Sequence, residues 1–177
     1  KAAFEQLINL IEEQEYHLDV GVLGGRVLFH VLTEFGYSDL AFSMITRPDY
    51  PSYGNWIARG ATTLWEVFQP EGSDRIGSLN HHFWGDISSW FTQALSGIRM
   101  APHGEPNEVD FRPSFISRLT HAEAFHIAPA GRIASAWERD EDDVIELTVE
   151  LPSTMHGVIR LESGYVFEDG LAYKAAE

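Results

Sequence analysis

The 177-residue chain contains no cysteine. Disulfides and thiolate metal sites are therefore excluded, while the compartment stays open because many secreted proteins also lack disulfides. Basic residues are scarce, since 12 Lys and Arg stand against 27 Asp and Glu, for a formal net charge of -15. A chain of this charge lacks the basic surface that binds nucleic acids or anionic membranes, so we expect neither partner. A neutral or cationic partner fits better.

Long apolar runs are also missing, and none approaches the roughly 18 residues needed to span a bilayer. The opening stretch KAAFEQLINLIEEQEYH carries acids where a signal peptide is basic and then apolar. It enters helical periodicity directly at Lys1, so we expect a processed chain or a piece of a longer protein. The compartment is unknown, with cytoplasm or periplasm favoured.

The first hundred residues show the period of amphipathic helices. Three helices are predicted from apolar residues spaced three and four apart, namely Phe4, Leu7, Ile8 and Ile11; Val27, Leu28, Val31, Leu32 and Phe35; and Leu40, Ala41, Met44 and Ile45. Gly36 is predicted to end the second helix, and Ser38 to cap the third, which stops before Pro48. A fourth helix, capped by Asp86, has one apolar face formed by Ile87, Trp90, Phe91, Ala94, Leu95 and Ile98.

After the Pro- and Gly-containing segment MAPHGEPNE, the period changes to the alternation of strands. Strands are predicted at 109–111, 122–127, 132–137, 144–151 and 158–161. The stretch ERDEDD is interpreted as a solvated hairpin loop, and VIELTVEL alternates apolar and polar residues as a strand with one wet face does. We therefore predict two domains, helices over 1–100 and an antiparallel β-sandwich over 101–177.

The segment 47–86 is long, irregular and rich in aromatic residues, which favours a functional region over disorder. Its rings and polar groups are Tyr50, Tyr53, Trp56, Trp65, Phe68, Phe83 and Trp84 with Asn55, Arg59, Glu66, Asn80, His81 and His82. Flat rings suit pyranose faces, polar groups suit hydroxyls, and a carboxylate suits acid or base catalysis. The mixture is typical of a sugar-binding site.

Simpler interpretations compete with that one. Dense aromatics more often form core, and Glu66 is equally a surface acid or the partner of a buried Arg59. His81 and His82 with Glu66 match a metal site only loosely, because histidine ligands on one helix face are spaced i, i+4. A serine nucleophile is weaker still, since the chain has no G-x-S-x-G motif. We predict no metal and no cofactor.

The ordered motifs of this chain resemble the carboxyl-terminal part of bacterial α-L-rhamnosidases of glycoside hydrolase family 78. The resemblance is carried by YPS (50–52), GATTLWE (60–66) and SLNH (78–81), and by FRP (111–113) and AGRIASAW (130–137) in the second half. It implies the last helices of a catalytic (α/α)6 barrel followed by a small β-sandwich. The general acid of that family lies upstream of these motifs.

The resemblance also implies residue roles. Glu66 matches the general base of the family's TT-x-WE motif, and His81 matches the sugar-contacting His of its NH motif. The aromatic residue usual after that His is His82 here, and the residue after Glu66 is Val67 rather than Arg. Trp65, Tyr53 and Asn80 are predicted to contact the sugar as well. The predicted partner is a rhamnoside.

In an inverting glycosidase, one carboxylate activates water while a second carboxyl group, about 6.5 to 9.5 Å away, protonates the leaving oxygen. Glu66 would be the water-activating group, kept charged by donors such as Asn80 or His81. A segment without the general acid is expected to be inactive alone and to self-associate through exposed barrel helices. The rival hypotheses are a noncatalytic carbohydrate-binding or protein-interaction module and another exoglycosidase on the same barrel.

Overall fold

The computed structural model describes residues 1–74, 77–101 and 104–168, and in it helices precede strands, as predicted. The helices are α1 (Ala2–Glu13), α2 (Val22–Glu34), α3 (Ser38–Thr46), α4 (Tyr53–Ala58) and α5 (Asp86–Trp90), which continues into a π-helix (Phe91–Leu95). The strands are β1 (Ile98–Met100), β2 (Glu108–Phe111), β3 (His121–Ala128), β4 (Gly131–Arg139), β5 (Ile145–Glu150) and β6 (His156–Ile159). The chain divides into two compact units, Lys1–Ile87 and Ser88–Glu177. Within the described ranges, no helix is both long and apolar enough to cross a membrane.

Gly36 terminates helix α2 as its C′ residue, as predicted from the sequence. Gly36 has φ +81°, its N–H donates to the carbonyl of Thr33, and the N–H of Tyr37 donates to the carbonyl of Leu32. These two bonds form a Schellman motif, whose left-handed residue favours glycine. The Ser38 cap prediction is wrong by one residue, because Ser38 begins α3 and Tyr37 holds the cap position.

The segment 47–86, for which the sequence predicts no regular element, contains the short helix α4. Its N-cap is Ser52, whose hydroxyl accepts the N–H of Asn55 at 2.9 Å. Gly60, with φ +82°, ends the helix and donates its N–H to the carbonyl of Ile57. A helix of six residues is too short to show an apolar stripe, so periodicity could not indicate it.

The first unit has an aromatic core around Tyr53. Its ring lies 5.4 to 6.3 Å, centroid to centroid, from the rings of Phe29, Trp56, Phe68 and Trp84. The Tyr53 hydroxyl donates to the carbonyl of Trp84 at 3.3 Å. Burial, assisted by the charge of Asp86, raises the pKa of Tyr53. The core interpretation of Trp56 and Trp84 agrees with their exposures of 2% and 6%.

The helix predicted to include Ile98 ends earlier. The π-helix stops at Leu95, and Ile98 opens β1, so its assignment to a helical stripe is wrong. Gly97 makes the turn with φ +77°, and a Cβ at this position would lie 2.2 Å from the backbone nitrogen of Pro113. Only glycine can be accommodated this close to the backbone of Pro113, and the apolar periodicity of the sequence does not indicate such a contact.

In the described residues of the second unit, the strands form two three-stranded sheets, ordered β1-β2-β6 and β3-β4-β5. The apolar side chains they share in one core are Ile98, Val109, Phe111, Ala128, Ile133 and Met155. The predicted β-sandwich is therefore confirmed. Among these six described strands, β2 and β6 run parallel and the other pairs are antiparallel. This parallel pair differs from the predicted antiparallel arrangement. It arises because the chain crosses from β5 to the other sheet before forming β6, and the alternation of apolar and polar residues does not indicate such a crossover.

The hairpin predicted at ERDEDD joins β4 to β5. The carboxylate of Asp140 accepts the N–H groups of Asp142 and Val144, both at 2.9 Å, and so closes the loop. Strand β5 alternates half-buried and exposed residues, as its sequence predicts. The last strand begins at His156 instead of residue 158, since its start depends on pairing with β2.

Asp110 on β2 is a buried carboxylate, 2% exposed, held by two arginines. It accepts from the Nε atoms of Arg160 at 2.9 Å and Arg112 at 3.1 Å. Burial acts to raise the pKa of Asp110, but the bonds and charges of Arg160 and Arg112 outweigh it and leave the pKa below its ordinary value.

Because the folded pKa of Asp110 lies below its unfolded value of about 3.9, its contribution to stability is present above that pH and is lost as pH falls through the folded pKa. We expect Asp110→Asn to lower the free energy of unfolding by about 1.5 to 3 kcal/mol at pH 7. The loss should shrink near pH 3, as measured by urea unfolding at both pH values. Asp142→Asn in the exposed hairpin is the control. An equal loss at pH 7 and pH 3 would contradict a charge-dependent role.

Candidate active site

Two loop segments of the first unit, 60–66 and 78–82, lie side by side. They are joined by hydrogen bonds from the N–H of Glu66 to the carbonyl of Ser78 (2.8 Å), from the N–H of His81 to the carbonyl of Leu64 (2.8 Å), and from the hydroxyl of Thr63 to the carbonyl of Leu79. The pairing brings the GATTLWE and SLNH motifs together, although eleven residues, 67–77, separate them in the sequence. The first segment starts at Gly60, the glycine that ends α4.

The carboxylate of Glu66 is half-buried and has one described donor. Its Oε2 atom accepts the backbone N–H of Ser78 at 2.8 Å. The prediction that Asn80 or His81 supplies this donor is not met, since the backbone of Ser78 does so instead. The main-chain carbonyl of Glu66 accepts the indole N–H of Trp84 at 3.0 Å.

Arg59 is not the partner of Glu66. Its guanidinium donates to the carbonyl of Gln69 at 2.6 Å and lies over the ring of Trp65, 5.1 Å from the centroid. A cation over the indole face holds the ring of Trp65 from one side. The structure therefore removes the interpretation of Glu66 as the acid of a buried ion pair with Arg59.

His81 is oriented by its own loop. The N–H of Phe83 points to Nδ1 of His81 at 3.3 Å, and the Phe83 ring stands edge-on to the imidazole with centroids 4.0 Å apart. A neutral imidazole that accepts at Nδ1 carries its proton on Nε2. His81 is thereby prepared to donate from Nε2 to a hydroxyl oxygen.

The structure brings Glu66, His81, Asn80 and Trp65 onto the two paired segments, with Asn80 exposed and Trp65 half-buried. Tyr53 lies in the aromatic core instead, 8% exposed, where its hydroxyl already donates to the carbonyl of Trp84. The side chain of Tyr53 therefore belongs to the core of the first unit. In the parts of the chain that the structure describes, no three His, Asp or Glu side chains gather as a metal site would require.

An open cleft of about 600 Å³ lies next to the paired loops, and His82, the residue after His81, forms part of its wall. It is lined by Val22, Leu23, Arg26, His82, Phe83 and Asp86. Asp86 is hydrogen-bonded to His30, with 3.1 Å between Oδ2 and Nε2. The walls thus combine apolar side chains with a cation, as sites for small organic ligands do.

Two residues that hold Glu66 were not assigned a role in the site from the sequence. Ser78 acts through its backbone, and a backbone N–H has no residue-type signature. Trp84 acts through its indole N–H, and the sequence shows it only as one aromatic among many. The one signal for Ser78 was its position at the start of the SLNH motif.

A half-buried carboxylate on one loop, with a histidine and an exposed amide on the loop paired with it, is compatible with a carbohydrate site. The model of the bacterial alpha-L-rhamnosidase 6 hairpin glycosidase domain matches residues 1–95. The bacterial alpha-L-rhamnosidase C-terminal domain matches residues 107–164. The chain belongs to the bacterial α-L-rhamnosidase family.

Individual relatives agree with this assignment. An alpha-L-rhamnosidase of Streptomyces avermitilis is 32% identical over 158 residues, and one of Alteromonas sp. is 33% identical over 156 residues. These matches cover 86% and 83% of this chain but only 15% and 16% of the relatives. The chain therefore spans about a sixth of the length of the curated relatives it matches.

Solved structures show the same relation. The Streptomyces avermitilis alpha-L-rhamnosidase complexed with L-rhamnose superposes with a TM-score of 0.82 at 30% identity, over 89% of this chain and 16% of that one. The alpha-L-rhamnosidase from Dictyoglumus thermophilum gives 0.80 at 31% identity, over 90% and 18%. The fold described above is thus that of one part of these larger proteins.

Proposed function

We propose that this chain is part of an inverting α-L-rhamnosidase and that Glu66 is its general base. The observation that carries the proposal is the carboxylate of Glu66, held by the N–H of Ser78 where two motifs of the family pair. A carboxylate held in a fixed position is what base catalysis requires. The substrate class proposed for the whole protein is a terminal α-L-rhamnoside.

In this mechanism, Glu66 takes a proton from a water molecule, and the oxygen of that water attacks the anomeric carbon. The bond to the leaving oxygen breaks on the opposite face of the sugar, and a general acid from outside this chain protonates that oxygen. The Nε2–H of His81 and the side chains of Asn80 and Trp65 bind the rhamnose. No metal or cofactor takes part in the proposed mechanism.

The cleft that starts at His82 is proposed to receive the leaving group. It adjoins His81, and its volume of about 600 Å³ falls within the range of small-ligand sites. The exposed ring of Phe83 offers a stacking surface, and Arg26 lines the cleft as well. An aglycone with an apolar ring suits these walls.

Other predictions remain open. Self-association is expected to involve the apolar stripe Val27, Val31 and Phe35, of which Val27 and Phe35 are 57% and 52% exposed and Val31 is half-buried. A second stripe expected to be exposed comprises Ile87, Trp90 and Leu95, but Ile87 and Trp90 are only 7% and 1% exposed. The domain boundary at residue 100 and a cytoplasmic or periplasmic location also stay predictions.

The proposed function is tested with the full-length protein on an aryl α-L-rhamnoside. We expect β-L-rhamnose to appear first in the proton NMR spectrum, because a single displacement by water inverts the anomeric carbon. The 177-residue chain alone should show no turnover, since it lacks the general acid. First appearance of α-L-rhamnose would refute inversion. Binding of rhamnose without turnover by the full-length protein would favour a carbohydrate-binding module.

A further inference from the structure

We propose that Trp84 is a positioning residue for Glu66, an inference that rests on the proposed role of Glu66 as general base. The two residues are 18 positions apart, and the indole Nε1–H of Trp84 donates to the main-chain carbonyl of Glu66 at 3.0 Å. Trp84 is 6% exposed, so this bond reaches the loop from the aromatic core. Trp84 touches no reacting atom in this scheme and acts only through Glu66.

Glu66 needs such an anchor because it lies in a loop. Outside its own segment, its described hydrogen bonds go to Ser78 and to Trp84. The bonds to Ser78 tie one loop to another loop. The bond from Trp84 ties the Glu66 backbone to the core, and a backbone fixed at residue 66 limits where its carboxylate can lie.

Trp84 is itself fixed from two other elements. The hydroxyl of Tyr53 on α4 donates to the carbonyl of Trp84 at 3.3 Å. Helix α2 presses on its ring at Gly25, where a Cβ would lie 2.4 Å from the Cζ3 atom of Trp84. No side chain fits between α2 and the indole at this point, so the helix closes one side of the ring. Tyr53, predicted from the sequence to bind sugar, here becomes part of the support.

The rate of the proposed reaction depends on how accurately the Glu66 carboxylate is held. A misplacement of about 1 Å far from the reacting atoms can cost about 10² in rate. Base catalysis requires the carboxylate within hydrogen-bond reach of the attacking water. Loss of the Trp84 bond should therefore lower kcat and leave KM nearly unchanged, because the sugar contacts of His81, Asn80 and Trp65 remain.

The chain offers a matched pair of variants. Trp84→Phe removes an indole N–H that holds Glu66 and keeps an aromatic ring. Trp56→Phe makes the same chemical change in the same aromatic cluster, at 2% exposure, but the Nε1 of Trp56 has no described hydrogen-bond partner. The two variants therefore differ in the link to Glu66.

Steady-state kinetics of the full-length protein on an aryl α-L-rhamnoside measure the effect. We expect Trp84→Phe to lower kcat about tenfold, a fraction of the loss for a full 1 Å misplacement, with KM changed less than twofold. Trp56→Phe should change kcat less than twofold. Equal losses in both variants would overturn the proposal, because they would reflect core packing alone. If Trp84→Phe does not fold, Tyr53→Phe takes its place, because it removes the hydroxyl that donates to the carbonyl of Trp84. A fall in kcat at constant KM would then support the proposal. A rise in KM with kcat unchanged would overturn it.

The same substitution in the Glu66→Gln background separates the two proposals. If Trp84 acts through Glu66, Trp84→Phe should have less than a twofold effect on the residual rate of Glu66→Gln. A full tenfold effect in that background would show that Trp84 acts independently and would overturn its positioning role. Failure of the proposed function is seen separately, as near-normal turnover of Glu66→Gln alone.

Discussion

Replacing Glu66 by Gln in the full-length protein is expected to lower kcat by about 10² to 10⁴ with KM little changed. Glutamine keeps the size of the side chain and an oxygen that can still accept the N–H of Ser78, but it cannot take a proton from water. The loss therefore falls on the transition state rather than on substrate binding. The acidic limb of the pH profile of kcat should flatten, because that limb reports protonation of the base.

The measurement is steady-state kinetics on a rhamnoside across pH, with circular dichroism to verify folding. Glu71→Gln is the matched control, since it makes the same change at an exposed position a few residues further along. His81→Ala should differ by raising KM, because its role is to hold sugar hydroxyls. If folded Glu66→Gln kept more than about a tenth of the turnover, the loss would be too small for a general base and Glu66 would be a structural acid.

The second large effect concerns the β-sandwich, where Trp137→Ala should lower the free energy of unfolding by about 3 to 5 kcal/mol. Trp137 on β4 is 1% exposed and stands edge-on to Phe115, with ring centroids 5.4 Å apart. Its indole N–H also donates to the carbonyl of Leu95 at 2.7 Å, at the end of the π-helix. Alanine would leave a large cavity and an unsatisfied carbonyl.

Trp137→Phe separates the two contributions, because it keeps an aromatic ring and loses the bond to Leu95. We expect it to cost about 1 kcal/mol for that hydrogen bond, plus a smaller packing term. Urea unfolding gives the total for the 177-residue chain, and hydrogen exchange of peptides from β3 and β4 localises the loss to the sandwich. Unchanged exchange in those strands with an unchanged midpoint would contradict the central position of Trp137.

Regular elements could be read from the sequence where one face of each is buried and the other is wet. The end of α2 at Gly36 and the alternation along β5 follow from local rules, since a left-handed residue and a two-residue period have direct sequence signals. Helix α4 and the turn at Gly97 escaped those rules. The first is too short for a period, and the second depends on the backbone of Pro113, which is distant in sequence.

The residues of the candidate site also fall into those that the sequence indicates and those that it does not. Glu66 and His81 could be identified from motifs, and their assignment rested on the family resemblance rather than on any local physical rule. The residues that hold them could not be identified, because the donors are the backbone of Ser78 and of Phe83 and the indole of Trp84. Main-chain donors are the same at every residue except proline, so the sequence does not distinguish them.

The sequence by itself determined the order of helices and strands and the acidic charge, and its resemblance to a family indicated Glu66 as the candidate carboxylate. Only the tertiary structure decided that the donor to Glu66 is Ser78, that Arg59 stacks on Trp65 instead of pairing with Glu66, and that Tyr53 lies in the core. The physical reason is the separation along the sequence over which each interaction acts. Periodicity and capping act within a few residues along the chain, whereas these contacts join loops and helices that meet only after the chain has folded.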